Sequence, residues 1–88
     1  MTNGVGILFN RKSGKAVKVL TGSVGMLKLF AMGNVSATRD YVVFDSDGIC
    51  KGYFEGKKND MPTICNDMVG KPYTDFDITN EQIKELFN

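Results

Sequence analysis

The sequence predicts one α+β domain over residues 1–88, with a bent antiparallel sheet of four or five strands and one or two short C-terminal helices on one face. Apolar residues alternate in the first half of the chain, which is typical of β-hairpins. In the last third they recur every three or four residues, which is typical of amphipathic helices. A small β-barrel is the variant that the same pattern allows.

The first hairpin is predicted over residues 5–20. Val5, Ile7 and Phe9 occupy alternate positions, and Val17 and Val19 do so again after a short turn. The turn ends in glycine, which supplies the positive φ that such loops need. The pattern therefore favours two paired strands, followed by a turn or bulge.

Residues 26–32 fit two interpretations. As a strand, the segment would place Leu27, Leu29 and Ala31 on one face; as a helix, it would align Met26 with Leu29 and Phe30. The segment is short for a helix, yet it contains few β-branched residues. We expect a strand and keep the helix as the alternative.

The second hairpin is the clearest element. A run of β-branched and aromatic residues at 41–44 is followed by the turn Asp45-Ser46-Asp47-Gly48 and a second run over residues 49–54. Aspartate and glycine are the residue types that close tight turns between strands.

Two helices are predicted after this hairpin. The first covers residues 60–69, with Asp60 as its cap and Gly70 at its end. Its apolar stripe consists of Met61, Ile64, Cys65, Met68 and Val69. Residues 73–78 are predicted to be extended, as an edge strand, and Thr79 begins a last helix with a capping box closed by Gln82.

Charge is unevenly distributed along the chain. Residues 1–39 carry six cations and no acid, whereas residues 40–88 carry all ten acids and five lysines, for a net charge of +1. A local cationic patch can steer association even when the net charge is near zero. The alternative is that the two halves neutralise each other within one small fold.

Cysteine content and the N-terminus indicate a cytosolic protein. Cys50 and Cys65 are too few for a small secreted domain, so we expect reduced thiols. No apolar run is long enough to span a membrane, and the first residues do not resemble a signal peptide.

Three short motifs lack residues that their binding functions require. Residues 12–15 lack the glycine and the Ser/Thr of a phosphate-binding loop, and residues 22–25 lack the basic residues of a KH-type clamp. Asp45-Ser46-Asp47-Gly48 resembles part of a calcium loop, but Val43 and Phe54 occupy positions where an EF-hand needs oxygen ligands. We interpret all three as turns.

The sequence offers no catalytic residue, metal site or cofactor motif. It contains no histidine, which is the commonest general base and metal ligand. The only remaining candidates for an enzyme are two carboxylate pairs, Asp45 with Asp47 and Asp75 with Asp77, if they meet in space.

The first functional hypothesis is therefore a small cytosolic binding protein that occupies a protein partner. We expect an inhibitor or accessory factor of the phage or mobile-element type, or a factor that self-associates. Methionine and tyrosine suit adaptable interfaces. The candidate interface residues are Met26, Phe30, Met32, Tyr41, Tyr53 and Tyr73.

The alternative hypothesis is a binder of nucleic acid or of a phosphorylated small ligand. Its candidate residues are Arg11, Lys12, Lys15, Lys18 and Lys28. A pI near 7.7 is low for a domain that holds a polyanion, which ranks this hypothesis second.

Overall fold

The computed structural model describes residues 3–56, 63–78 and 85. Its strands lie on both sides of a helical segment in the middle of the chain. They are β1 (Asn3–Asn10), β2 (Ala16–Ser23), β3 (Arg39–Asp45), β4 (Cys50–Glu55) and β5 (Thr63–Ile64). The helices are α1 (Val24–Leu29) and α2 (Ala31–Asn34), with single 3-10 turns at Asn66–Met68 and Tyr73–Asp75. Neither described helix is a candidate for a membrane span.

The five strands form one open antiparallel sheet in the order β2-β1-β3-β4-β5. Both predicted hairpins are confirmed, and their turns contain Gly14 and Gly48 at φ 71° and 78°. In the second turn the Asp45 carboxylate accepts hydrogen bonds from the N–H groups of Asp47 and Ile49, at 2.9 and 3.0 Å. The described strands do not close into a small barrel, the variant that the sequence pattern also allows.

The central strands β1 and β3 are buried on both faces. One face packs beneath α1 and α2, where the buried residues are Leu8, Leu27, Ala31, Tyr41, Val43 and Phe54. The opposite face packs beneath the chain that follows β5, where they are Val5, Ile7, Phe9, Val42, Phe44 and Cys50. The sheet is thus the middle of three layers.

The strand prediction for residues 26–32 is wrong, because this segment is helical. The hydroxyl of Ser23 accepts a hydrogen bond from the N–H of Met26 at 3.4 Å and caps α1. Leu27 and Ala31, four residues apart, are buried against the sheet, whereas Leu29 is exposed. A strand would have placed all three leucine and alanine side chains on one face.

The helix predicted over residues 60–69 is also wrong where the structure describes it. The N–H of Cys65 donates to the carbonyl of Tyr53, and the N–H of Gly70 donates to that of Cys50, both at 2.9 Å. The backbone at the two ends of this segment therefore bonds to β4. Between them lies the 3-10 turn Asn66–Met68, in which the N–H of Met68 donates to the carbonyl of Cys65 at 3.2 Å. Met68 packs on the sheet, but Ile64 is exposed.

Residues 73–78 do not form the predicted edge strand. They begin with a 3-10 turn, and the N–H of Tyr73 donates to the carbonyl of Gly48 at 2.7 Å. Phe76 and Ile78 then pack against the sheet. The helix predicted from Thr79 onwards lies outside the described residues, so the helices that the structure places are in mid-sequence rather than C-terminal.

Tyr41 is fully buried, and its hydroxyl lies against Gly6 without a hydrogen-bond partner among the described residues. Burial raises the pKa of Tyr41 to about 12. An unfolded tyrosine ionises near pH 10, so the stability present below that pH is lost as the pH rises towards 12, at up to about 1.4 kcal/mol per pH unit.

The substitution Tyr41→Phe should weaken this alkaline loss of stability and raise the free energy of unfolding at neutral pH by about 1 kcal/mol, because it removes an unpaired buried hydroxyl. Urea denaturation of both proteins at neutral pH and near pH 11 measures the effect. Parallel pH profiles for the two proteins would contradict the assignment.

Candidate functional site

Arg11, one of the predicted phosphate-binding residues, is engaged within the protein. Its Nε and Nη2 donate to Oδ1 of Asp40 at 3.0 and 2.7 Å, and Nη2 also donates to the carbonyl of Gly56 at 2.6 Å. The hydrogen bond to Asp40 raises the pKa of Arg11. These three hydrogen bonds within the protein leave fewer of the guanidinium's N–H groups for a phosphate ligand.

Asp40 joins three parts of the chain. Asp40 is 3% exposed, and its carboxylate accepts hydrogen bonds from the hydroxyl of Tyr53 and from the N–H of Gly56, each at 3.2 Å, as well as from Arg11. A buried carboxylate needs several such donors to offset the loss of water. This cluster holds the end of β4 against the first hairpin turn, and we interpret it as structural.

The four lysines of the alternative hypothesis are exposed but lie on different elements. Lys12 and Lys15 are in the turn between β1 and β2, Lys18 is on β2, and Lys28 is in the last turn of α1. The site predicted for a phosphate ligand is therefore divided among three elements, and its arginine is paired with Asp40.

The carboxylate pairs are explained by local structure. Asp45 caps its turn and lies 3.5 Å from Nζ of Lys51. Asp75 ends a 3-10 turn, and Asp77 is exposed beyond it. Among the described residues, no three acidic or cysteine side chains come together in a way that could hold a metal ion.

Neither cysteine is activated as a nucleophile. Burial raises the pKa of Cys50, and burial together with the nearby Glu55 carboxylate raises that of Cys65. A raised pKa lowers the fraction of reactive thiolate at neutral pH. Both thiols are free of disulfide bonds, as the sequence predicts.

The three tyrosines of the predicted interface are dispersed. Tyr41 is in the core beneath α1, where no partner can reach it, so its assignment to an interface is wrong. Tyr53 and Tyr73 are half-buried and pack on the opposite face of the sheet. Burial and the neighbouring Asp40 carboxylate raise the pKa of Tyr53.

The methionines and the phenylalanine of the predicted interface do lie together, on the outward side of the helical segment. The exposed fractions are 72% for Met26, 40% for Phe30 and 59% for Met32. Leu29, which the sequence analysis did not assign to the interface, is 73% exposed on the same segment. We call these four residues the helix surface.

Cations flank the helix surface on both sides. Nζ of Lys18 on β2 lies 5.4 Å from the centre of the Phe30 ring, within the range of a cation–π contact. On the other side, the Lys28 side chain passes over Gly52 of β4. The segments that carry the helix surface and β2 contain no acid, since residues 1–39 have none.

The spacing of Met26, Leu29 and Phe30 is the signal that predicts this surface. It is the stripe of the helical alternative, and in the structure it faces outward, because Leu27 and Ala31 contact the sheet. A helix with apolar side chains on its outward face is the usual mark of a contact surface for another molecule.

No protein-family model, no curated protein and no solved structure matches the chain.

Proposed function

We propose that this protein is a cytosolic binding module that occupies another protein through the helix surface and acts as an inhibitor or accessory factor. The observation that carries the proposal is the exposure of Met26, Leu29, Phe30 and Met32 on one helical segment. Four large apolar side chains in contact with water are costly unless a partner covers them. Methionine and phenylalanine adapt well to a partner's shape.

Charge supports a partner with an acidic rim around an apolar centre. Lys18 and Lys28 lie on opposite sides of the helix surface, and neither has a carboxylate nearby in sequence. Opposite charges at the rim of an interface speed association and exclude wrong partners. A second copy of this chain would place lysines against lysines, which disfavours self-association through this surface.

The same features favour a protein over a nucleic acid. Phosphate contacts supply most of the affinity for a nucleic acid, and useful binding needs many of them. Here Arg11 is paired with Asp40, and the side chains between the two flanking lysines are apolar. Crosslinking at position 26 distinguishes a protein partner from a nucleic acid.

The substitution Leu29→Asp should abolish partner binding without lowering the melting temperature, because the leucine is exposed in the free protein. Placing a carboxylate at the centre of an apolar contact, opposite an acidic partner, should weaken binding by about a hundredfold or more. A photo-crosslinking residue at position 26 first captures the partner from the source cell. The affinity of that partner for the wild type and for Leu29→Asp is then measured by titration.

Val69→Asp is the matched control, since Val69 is also an exposed apolar residue, 43% exposed, in the segment beyond β5. The control should bind as the wild type does. Equal retention by both variants, or crosslinks to nucleic acid alone, would contradict the proposal.

A further inference from the structure

The two edges of the sheet are covered differently. The β4 edge is covered by β5 and by the segment before Pro72. In that segment the carbonyl of Lys71 accepts a hydrogen bond from the N–H of Cys50 at 2.8 Å. At the other edge, the eight-residue β2 pairs only with β1 among the described strands. An open strand edge presents unpaired N–H and C=O groups to a second chain.

The edge of β2 that no described strand covers adjoins the helix surface. Side chains alternate along a strand, and Lys18 and Leu20 of β2 are on the side of α1, as the position of the Lys18 ammonium over Phe30 shows. A strand added beside β2 would therefore direct every second side chain towards Phe30. Backbone pairing and apolar contact are thus available to one partner at one place.

We infer that the partner contributes an extended, acidic segment that pairs with β2 as a sixth strand and places a carboxylate beside Lys18. This inference rests on the proposed function and names the part of the partner that binds. Main-chain hydrogen bonds supply affinity in such complexes, and alternate side chains supply specificity.

Lysine at the edge also selects against a second copy of this chain. Two β2 strands paired with each other would bring the exposed Lys15 and Lys18 of one chain towards those of the other. Lysines on an edge strand are a common device against such pairing. A strand that carries carboxylates meets no such repulsion, so the same residues that reject self-pairing accept an acidic segment.

The test is selection from a displayed library of random linear peptides against the full chain. Enrichment of acidic peptides with alternating apolar residues is expected. With a selected peptide bound, the amides of β2 that point away from β1 should exchange with solvent at least about tenfold more slowly, because they become paired, whereas those already bonded to β1 should change less. Lys18→Glu should weaken the peptide by about tenfold or more, while Lys12→Glu in the turn should not.

Proline substitutions distinguish backbone pairing from side-chain contact. Successive residues of a strand point their N–H groups to opposite edges, and Lys18 and Thr21 are three positions apart, so their N–H groups point in opposite directions. Proline at one of these positions removes an N–H group that points away from β1, and proline at the other removes a hydrogen bond to β1. The variant that keeps its melting temperature should bind the peptide about tenfold or more weakly, and Lys18→Ala controls for the lost charge.

Three results would overturn the inference: no selected peptide, selected peptides without acidic residues, or unchanged exchange of the β2 amides on binding. These three results do not bear on the proposed function, which is tested by crosslinking from the helix surface. Loss of peptide binding in Leu29→Asp, combined with unaffected β2 amides, would leave the proposed function standing and refute the sixth strand.

Discussion

Replacing Asp40 with alanine is expected to lower the free energy of unfolding by about 3 kcal/mol, which for a domain of this size is a fall of roughly 12–24 °C in melting temperature. The carboxylate is almost fully buried and accepts hydrogen bonds from Arg11, Tyr53 and Gly56. Its removal leaves a guanidinium without its counter-charge, and a hydroxyl and an N–H group without their acceptor.

Thermal and urea denaturation measure this loss. Asp40→Asn keeps the shape and one acceptor oxygen, so it should lose less, about 1–2 kcal/mol. Asp47→Ala removes an exposed carboxylate from the β3–β4 turn and should change stability by less than about 0.5 kcal/mol. Equal stability of Asp40→Ala and Asp47→Ala would show that the hydrogen bonds around Asp40 do not stabilise the fold.

The substitution Gly56→Ala is expected to cost a similar amount, about 3 kcal/mol, for a steric reason. A Cβ at this position would overlap the carbonyl oxygens of Ser36 and Arg39, both of which belong to the backbone. These two residues are bonded to each other, N–H to carbonyl in both directions at 3.2 Å, so they cannot move aside independently.

Gly25→Ala is the matched control for this experiment. Gly25 lies in α1, and a Cβ added there meets nothing within 4 Å. Alanine is a better helix former than glycine, so this variant should be more stable than the wild type by up to about 1 kcal/mol. A Gly56→Ala protein as stable as the wild type would show that the 36–39 turn does not press against the end of β4.

The hairpins were predictable because their causes are local. The alternation around Ile7 and the Asp/Gly turn after Phe44 each act over a few residues, and no distant contact opposes them. The helical segment was not predictable in the same way. Its sequence suits a strand and a helix about equally, and the cap at Ser23 and the contacts of Leu27 with the sheet decide between them.

The helix predicted for the segment after β5 is wrong although its local pattern is clear, because a distant contact opposes it. Its stripe of Ile64 and Met68 has helical spacing, but the backbone of Cys65 and Gly70 pairs with β4, and a single 3-10 turn forms between them instead of an α-helix. Tertiary pairing outweighs a short helical pattern, because an isolated helix of this length is marginal.

The candidate site was predictable in composition but not in arrangement. Methionine and phenylalanine at 26, 30 and 32 are predicted to form a contact surface, and in the structure all three are exposed on one helical segment. Tyr41 was misassigned, because it lies on β3, a central strand that is covered on both faces, and the sequence does not show which strands are central.

Because β1 and β3 are buried on both faces, the two faces of the sheet are covered at different times as the chain emerges from the ribosome. The helical segment follows directly after the first hairpin, so its face of the sheet can be covered soon after β3 emerges. The face with Val5, Ile7 and Phe44 is covered by residues that come later, up to Phe76 and Ile78. A nascent chain stalled shortly after β4 would therefore expose these apolar side chains, which favours aggregation or the binding of a chaperone.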